Sequence, residues 1–205
     1  QPAIYLALRF HLNYYHSYRG DSLDERGIGK DIRIITSIIR DLDRLNSEGL
    51  AVRGTWDIEN YFSLELMMPR HSPELISAIQ RRVASGRDEI EPMSYNNGLV
   101  SACTREEFDL QMQLLRSNAQ GSGLDDLFPT WQPVLRPQEC MYTPSFLPLY
   151  PQHGIPAISL YNSAVPFNAL STFIAPLDTL CRYNPLTLTS AANDAEMTVL
   201  PAYNH

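Results

Sequence analysis

Short apolar runs alternate with amphipathic helical stretches along most of this chain, and that alternation leaves few folds open. Residues 3–10 (AIYLALRF) mix β-formers in one brief run, as a buried strand does. Further strands are predicted at 51–56 (AVRGTW), 88–93 (DEIEPM), 133–136 (PVLR) and 156–161 (PAISLY). Between the first two, Ile32, Ile35, Ile39, Leu42 and Leu45 recur at helical spacing, with Gly49 where a helix C-terminus takes a glycine. A second helix is predicted from the cap Ser72 and Pro73 to Gly86, with Ile76, Ile79 and Val83 as its stripe. The third opens on a capping box, Thr104 with Glu107, and buries Phe108, Met112 and Leu115. SFLPLYPQHG reads as a short helix or turn. Strand–helix–strand repetition of this kind predicts βαβ units on a parallel sheet, either open or closed into a barrel. Beyond Asn162 the periodicity fades, with short strands expected at STFIAP and MTVL.

Composition narrows the function classes. With 16 basic and 23 acidic residues the net charge is −7, which argues against nucleic acid or an anionic membrane as partner. No run approaches the ~20 apolar residues needed to span a bilayer. Cys103, Cys140 and Cys181 are odd in number and widely spaced, so a disulfide framework is not expected and the chain reads as cytoplasmic. It begins with Gln1 rather than Met, which leaves a removed leader open, and it ends abruptly on MTVLPAYNH. The expectation is one catalytic-type domain over residues 1–205, cut short at its C-terminal end.

Polar clusters follow each predicted strand. His11 and His16 come after the first, Asp57 and Glu59 after the second, Glu91, Tyr95, Asn96 and Asn97 after the third, and Glu139 after the fourth. In parallel α/β folds that end of the sheet binds ligands, although loops are polar in any case. Glu139 has two readings. Trp131, Tyr142 and Phe146 are placed to line a pocket that tunes its carboxylate or stacks on a sugar; alternatively it pairs with Arg136 at the surface. Glu91 or Asp57 would supply the second carboxylate that glycoside hydrolysis needs. His11 and His16 lie five apart, which is not the spacing of a metal pair, so His11 reads as a ligand hydrogen-bonder or a structural histidine. Tyr14, Tyr15 and Tyr18 either stack on sugar rings or roof the core. There is no phosphate-binding glycine loop, and GSG at 121–123 is not a nucleophile elbow.

Three stretches, ALRFHLNYYH, DEIEPMSYNNGLV and VLRPQECMYTPSFLPLYPQHGI, resemble in order and spacing the motifs of family 57 glycoside hydrolases. That family shares its barrel type with family 38 mannosidases and polysaccharide deacetylases. The resemblance covers about residues 3–162 and implies a parallel β/α barrel, incomplete or distorted, of (β/α)7 type. It implies a retaining glycoside hydrolase or glucanotransferase acting on α-glucan oligo- or polysaccharides, without a cofactor or metal. By the match Glu139 takes the nucleophile's place, His11 that of a sugar-binding histidine and Glu91 that of the second-motif glutamate; Asp57, Tyr95, Trp131 and Tyr142 complete the expected substrate-binding set. The departures are specific. Asn13 stands where the first motif has a second histidine, and Asn97 stands near another. The family's general acid is an aspartate in a fourth motif, and neither Asp178 nor Asp194 sits in one. A metal-dependent deacetylase using His11, and a sugar-binding relative without the acid, are the alternatives.

Overall fold

A computed structural model describes residues 7–14, 23–24, 26–161, 178–190 and 193–202. These fall into two compact units: Gln1–Glu91 with Arg116–Gln132, and Pro92–Leu115 with Pro133–His205. The expected strand at 171–176 and the residues Tyr15, His16 and Tyr18 lie outside the described residues.

The first unit is built on a parallel sheet of β1 (Leu8–Leu12), β2 (Gly54–Ile58) and β3 (Glu89–Glu91), in that order. Each strand alternates: LRFHL, GTWDI and EIE. The register Phe10↔Trp56↔Ile90 aligns the apolar residues on one face, and Arg9↔Thr55↔Glu89 and His11↔Asp57↔Glu91 align polar ones on the other. Phe10 and Trp56 stack with ring centroids 4.9 Å apart.

Helix α1 (Ile28–Ser47) covers that apolar face with Ile35, Ile39 and Leu42 buried. Gly54 is the point of closest approach: a β-carbon there would lie 3.0 Å from the Phe10 ring and 3.2 Å from Leu42. Gly49 takes φ +86 just past the helix end, as its position in the sequence requires.

After β2 the chain does not form the acidic loop expected at 57–60. Asp57 and Ile58 extend the strand, and Glu59 caps an eight-residue π-helix, Asn60–Met67, accepting from the Phe62 and Ser63 amides at 2.9 and 2.7 Å. The turn α2 (Met68–His71) and helix α3 (Pro73–Ala84) follow. Ser72 precedes α3 as predicted, yet its hydroxyl lies 3.2 Å from the Tyr14 hydroxyl and makes no cap bond. A short helix, here α5, spans Leu124–Leu127 after the GSG loop, whose Ser122 is buried.

In the second unit, α4 (Arg105–Arg116) opens on the predicted box: Glu107 N donates to Thr104 Oγ1 at 3.2 Å, and Thr104 N donates to Glu107 Oε2 at 2.7 Å. Phe108 sits at the centre of an aromatic cluster, 5.0 Å from both Phe146 and Tyr150 and 5.7 Å from His153. Asp109 holds His153 Nε2 at 2.7 Å, so this histidine has a structural role in the aromatic core. The sheet has the order β4 (Val134–Leu135), β5 (Ala157–Tyr161), β7 (Glu196–Ala202), β6 (Leu186–Thr189). β4, β5 and β7 run parallel, whereas β6 returns antiparallel to β7. The all-parallel expectation is corrected there: Asp194, at φ +51, lies in a turn between β6 and β7 that is too short for a crossover helix. The described strands thus form two sheets, one of three strands and one of four.

Candidate functional site

Register brings three of the expected residues into one row. His11, Asp57 and Glu91 are direct neighbours across β1, β2 and β3, at the C-terminal ends of parallel strands. They lie in the strands, not in the loops beyond them, so each is held by a hydrogen-bonded backbone. Asp57 is fully buried and its Oδ1 lies 2.6 Å from His11 Nδ1, while 32% of the His11 side chain is exposed. A buried carboxylate on Nδ1 fixes the ring's orientation.

Glu91 Oε2 lies 2.6 Å from an Arg9 guanidinium nitrogen, one strand position pair away on the same face. Burial pushes the Glu91 carboxyl up from 4.5 to about 7; Arg9 pulls it down, and the neighbouring Asp57 charge pushes it up again. Burial outweighs the short ion pair because Arg9 is 22% exposed, so water screens it, whereas the Glu91 side chain is 8% exposed.

Folding therefore takes up a proton between pH 4.5 and about 7. Native stability should fall as pH rises through that window, by up to ~1.4 kcal/mol per pH unit, and change no further above it. In Glu91→Gln this part of the pH dependence should be absent. Denaturant unfolding of both proteins from pH 4 to 8 checks it, and parallel curves would refute it.

Glu139 belongs to the second unit and follows β4, whose pairing with β5 is parallel. It is exposed, so the expectation of a low-dielectric pocket around its carboxylate is corrected. The ion-pair reading fails as well: Arg136 is 4% exposed, and Glu139 Oε1 instead accepts from Gln138 Nε2 at 3.0 Å.

What distinguishes Glu139 is its backbone. Glu139 and Cys140 have φ of +54 and +53, and Met141 N donates to Gln138 O at 3.1 Å. That is a tight turn with two left-handed central residues, where Asn-Gly is favoured and each ordinary side chain costs ~1–2 kcal/mol. Buried Cys140 anchors the turn and presents the carboxylate outward.

The remaining expected residues fall in both units. Tyr95 and Tyr142 belong to the second unit, both half-buried. Trp131, expected as pocket wall beside Glu139, is in the first unit. It lines a cavity with Arg53 and Glu89, at the N-terminal ends of β2 and β3, the opposite end from His11, Asp57 and Glu91. Tyr14 is buried beside Ser72 and reads as core. Asp178 caps α6 (Thr179–Tyr183) by accepting from Cys181 N.

Arg9 was missed by the sequence reading; its signal was the two-residue spacing from His11, which puts both on one face of a strand. Among the described residues no group of three His, Cys, Asp or Glu side chains is placed to hold a metal ion. No described helix is long and apolar enough to cross a membrane.

No family profile matches the chain, and no curated protein matches it in sequence. Among solved structures it resembles a 4-alpha-glucanotransferase from Thermococcus litoralis, with a TM-score of 0.65 and 12% identity over 95% of this chain. Weaker likenesses are to a putative polysaccharide deacetylase from Mycobacterium smegmatis and to T48 deacetylase with substrate. Their TM-scores are 0.49 and 0.44, at 19% and 13% identity, over 82% and 76% of this chain and 45% and 57% of theirs. At such identities what is shared is the fold. The chain spans 27% of the glucanotransferase and has a mixed α/β fold like that part of it.

Proposed function

We propose that this chain carries the glycan-processing site of a retaining enzyme acting on α-glucans, with Glu139 as nucleophile. The observation that carries the reading is the left-handed turn after β4, which holds an exposed carboxylate in a backbone conformation that glutamate avoids. Strain of this kind collects at functional sites. The VLRPQECMY resemblance and the glucanotransferase-like fold point the same way.

In this mechanism a Glu139 oxygen attacks the anomeric carbon and the glycosidic C–O bond breaks. The leaving oxygen takes a proton from an acid, and a glycosyl ester forms. Water or an acceptor hydroxyl then attacks the same carbon, returns a proton to the conjugate base of that acid, and frees Glu139.

The test is a substrate panel: maltooligosaccharides and soluble starch against N-acetylated glycans, with reducing ends, transfer products and acetate all measured. Cleavage or transfer on the α-glucans is expected. Acetate release would replace this reading with a deacetylase. Binding without turnover would favour a sugar-binding relative, a reading that the structural roles of Asp178 and Asp194 in a cap and a turn keep in view.

A further inference from the structure

Trp131 is held more firmly than a half-exposed tryptophan needs to be for packing alone. Its indole N–H donates to Asp125 Oδ1 at 2.7 Å, and the Arg116 guanidinium lies 5.7 Å from the ring centroid. Arg116 itself is fixed to Asp125 Oδ2 through Nε and a terminal nitrogen, at 3.1 and 3.0 Å. The segment is tied to the sheet by Gln132 N, which donates to Ile90 O at 2.8 Å. An aromatic ring locked in this way loses little entropy when a ligand settles on it.

The ring lines a cavity of about 190 Å3. Val83 and Ile90 lie buried beneath it, and exposed Thr130 and Gln132 give it neutral donors and acceptors. Its two exposed charges, Arg53 and Glu89, are 3.9 Å apart and offset each other. The combination suits a neutral, hydroxyl-rich ring, not an anion. The space is below the ~300–1,000 Å3 that larger ligands occupy, so one ring enters and the rest of the ligand runs over the surface.

We propose that the Trp131 cavity is a second glycan-binding site, one pyranose wide, at the end of the three-stranded sheet opposite His11, Asp57 and Glu91. It rests on the proposed function for the kind of sugar, an α-glucan.

The chain's two tryptophans make the test direct, because Trp56 is fully buried and only Trp131 can touch a ligand. Maltooligosaccharides are titrated into the full chain as Glu139→Gln, with calorimetry to detect binding and tryptophan emission to locate it. A saturable emission change is expected, with its midpoint raised at least about threefold by Gln132→Ala on the exposed rim and the change lost in Trp131→Phe. Calorimetric binding without an emission change, or an unmoved midpoint in Gln132→Ala, would overturn the site. Turnover of α-glucans by the unaltered protein with no emission change would also overturn it, and would leave the proposed function standing. Absence of both binding and turnover would remove the two together.

Discussion

Asp88→Ala is expected to destabilise the fold by about 3–5 kcal/mol. Asp88 is 2% exposed and satisfies four donors: the Gly54 amide at 2.9 Å, the Trp56 indole at 2.8 Å, and Arg82 Nε and a terminal nitrogen at 2.6 and 2.9 Å. Arg82 is 4% exposed and also reaches Asp43 and, at 3.1 Å, Asn46 on α1. The node therefore joins α1, α3, β2 and the approach to β3. Removing one carboxylate leaves a buried guanidinium short of its main counter-charge and orphans an indole N–H inside the core. Asp88→Asn should lie between wild type and alanine, because it keeps the shape and loses the charge. Urea unfolding of the three proteins measures this. A loss in Asp88→Ala below about 1 kcal/mol would show that the node is solvated and incidental.

That node was invisible in the sequence for a physical reason. Asp88 reads as the polar first residue of the strand predicted at 88–93, and nothing local tells a solvated aspartate from one whose partners lie 32 and 34 positions earlier. Local signals succeeded where the outcome is local: the Ile/Leu period of α1, the Thr104–Glu107 box, and the left-handed Gly49. The row of His11, Asp57 and Glu91 was legible because strand ends in a βα repeat share one edge of the sheet. The boundary error at β2 hid that Asp57 is inside the strand. The β6 return was obscured by Pro185 and by a Leu-Thr alternation that fits parallel and antiparallel pairing equally. The backbone at Glu139 could not be read at all, since glutamate is among the residues least expected in that turn.

Glu139 yields the sharpest contrast between stability and activity. Glu139→Gln keeps the side chain's volume and its neighbour Gln138, at an exposed position, so stability should stay within about 0.5 kcal/mol. Turnover on the substrate the panel identifies should fall on the order of 10^4-fold, because an amide cannot form the glycosyl ester. Glu139→Gly should lose turnover to a similar extent and gain stability. At φ +54 a β-carbon costs ~1–2 kcal/mol, partly offset by the freedom glycine has in the unfolded chain, so the net gain should be about 1 kcal/mol. An incidental surface glutamate predicts the same gain with activity intact. Loss of turnover together with a more stable fold therefore identifies the turn as strained for function. Wild-type turnover in Glu139→Gln would remove Glu139 as the nucleophile whatever the stabilities show.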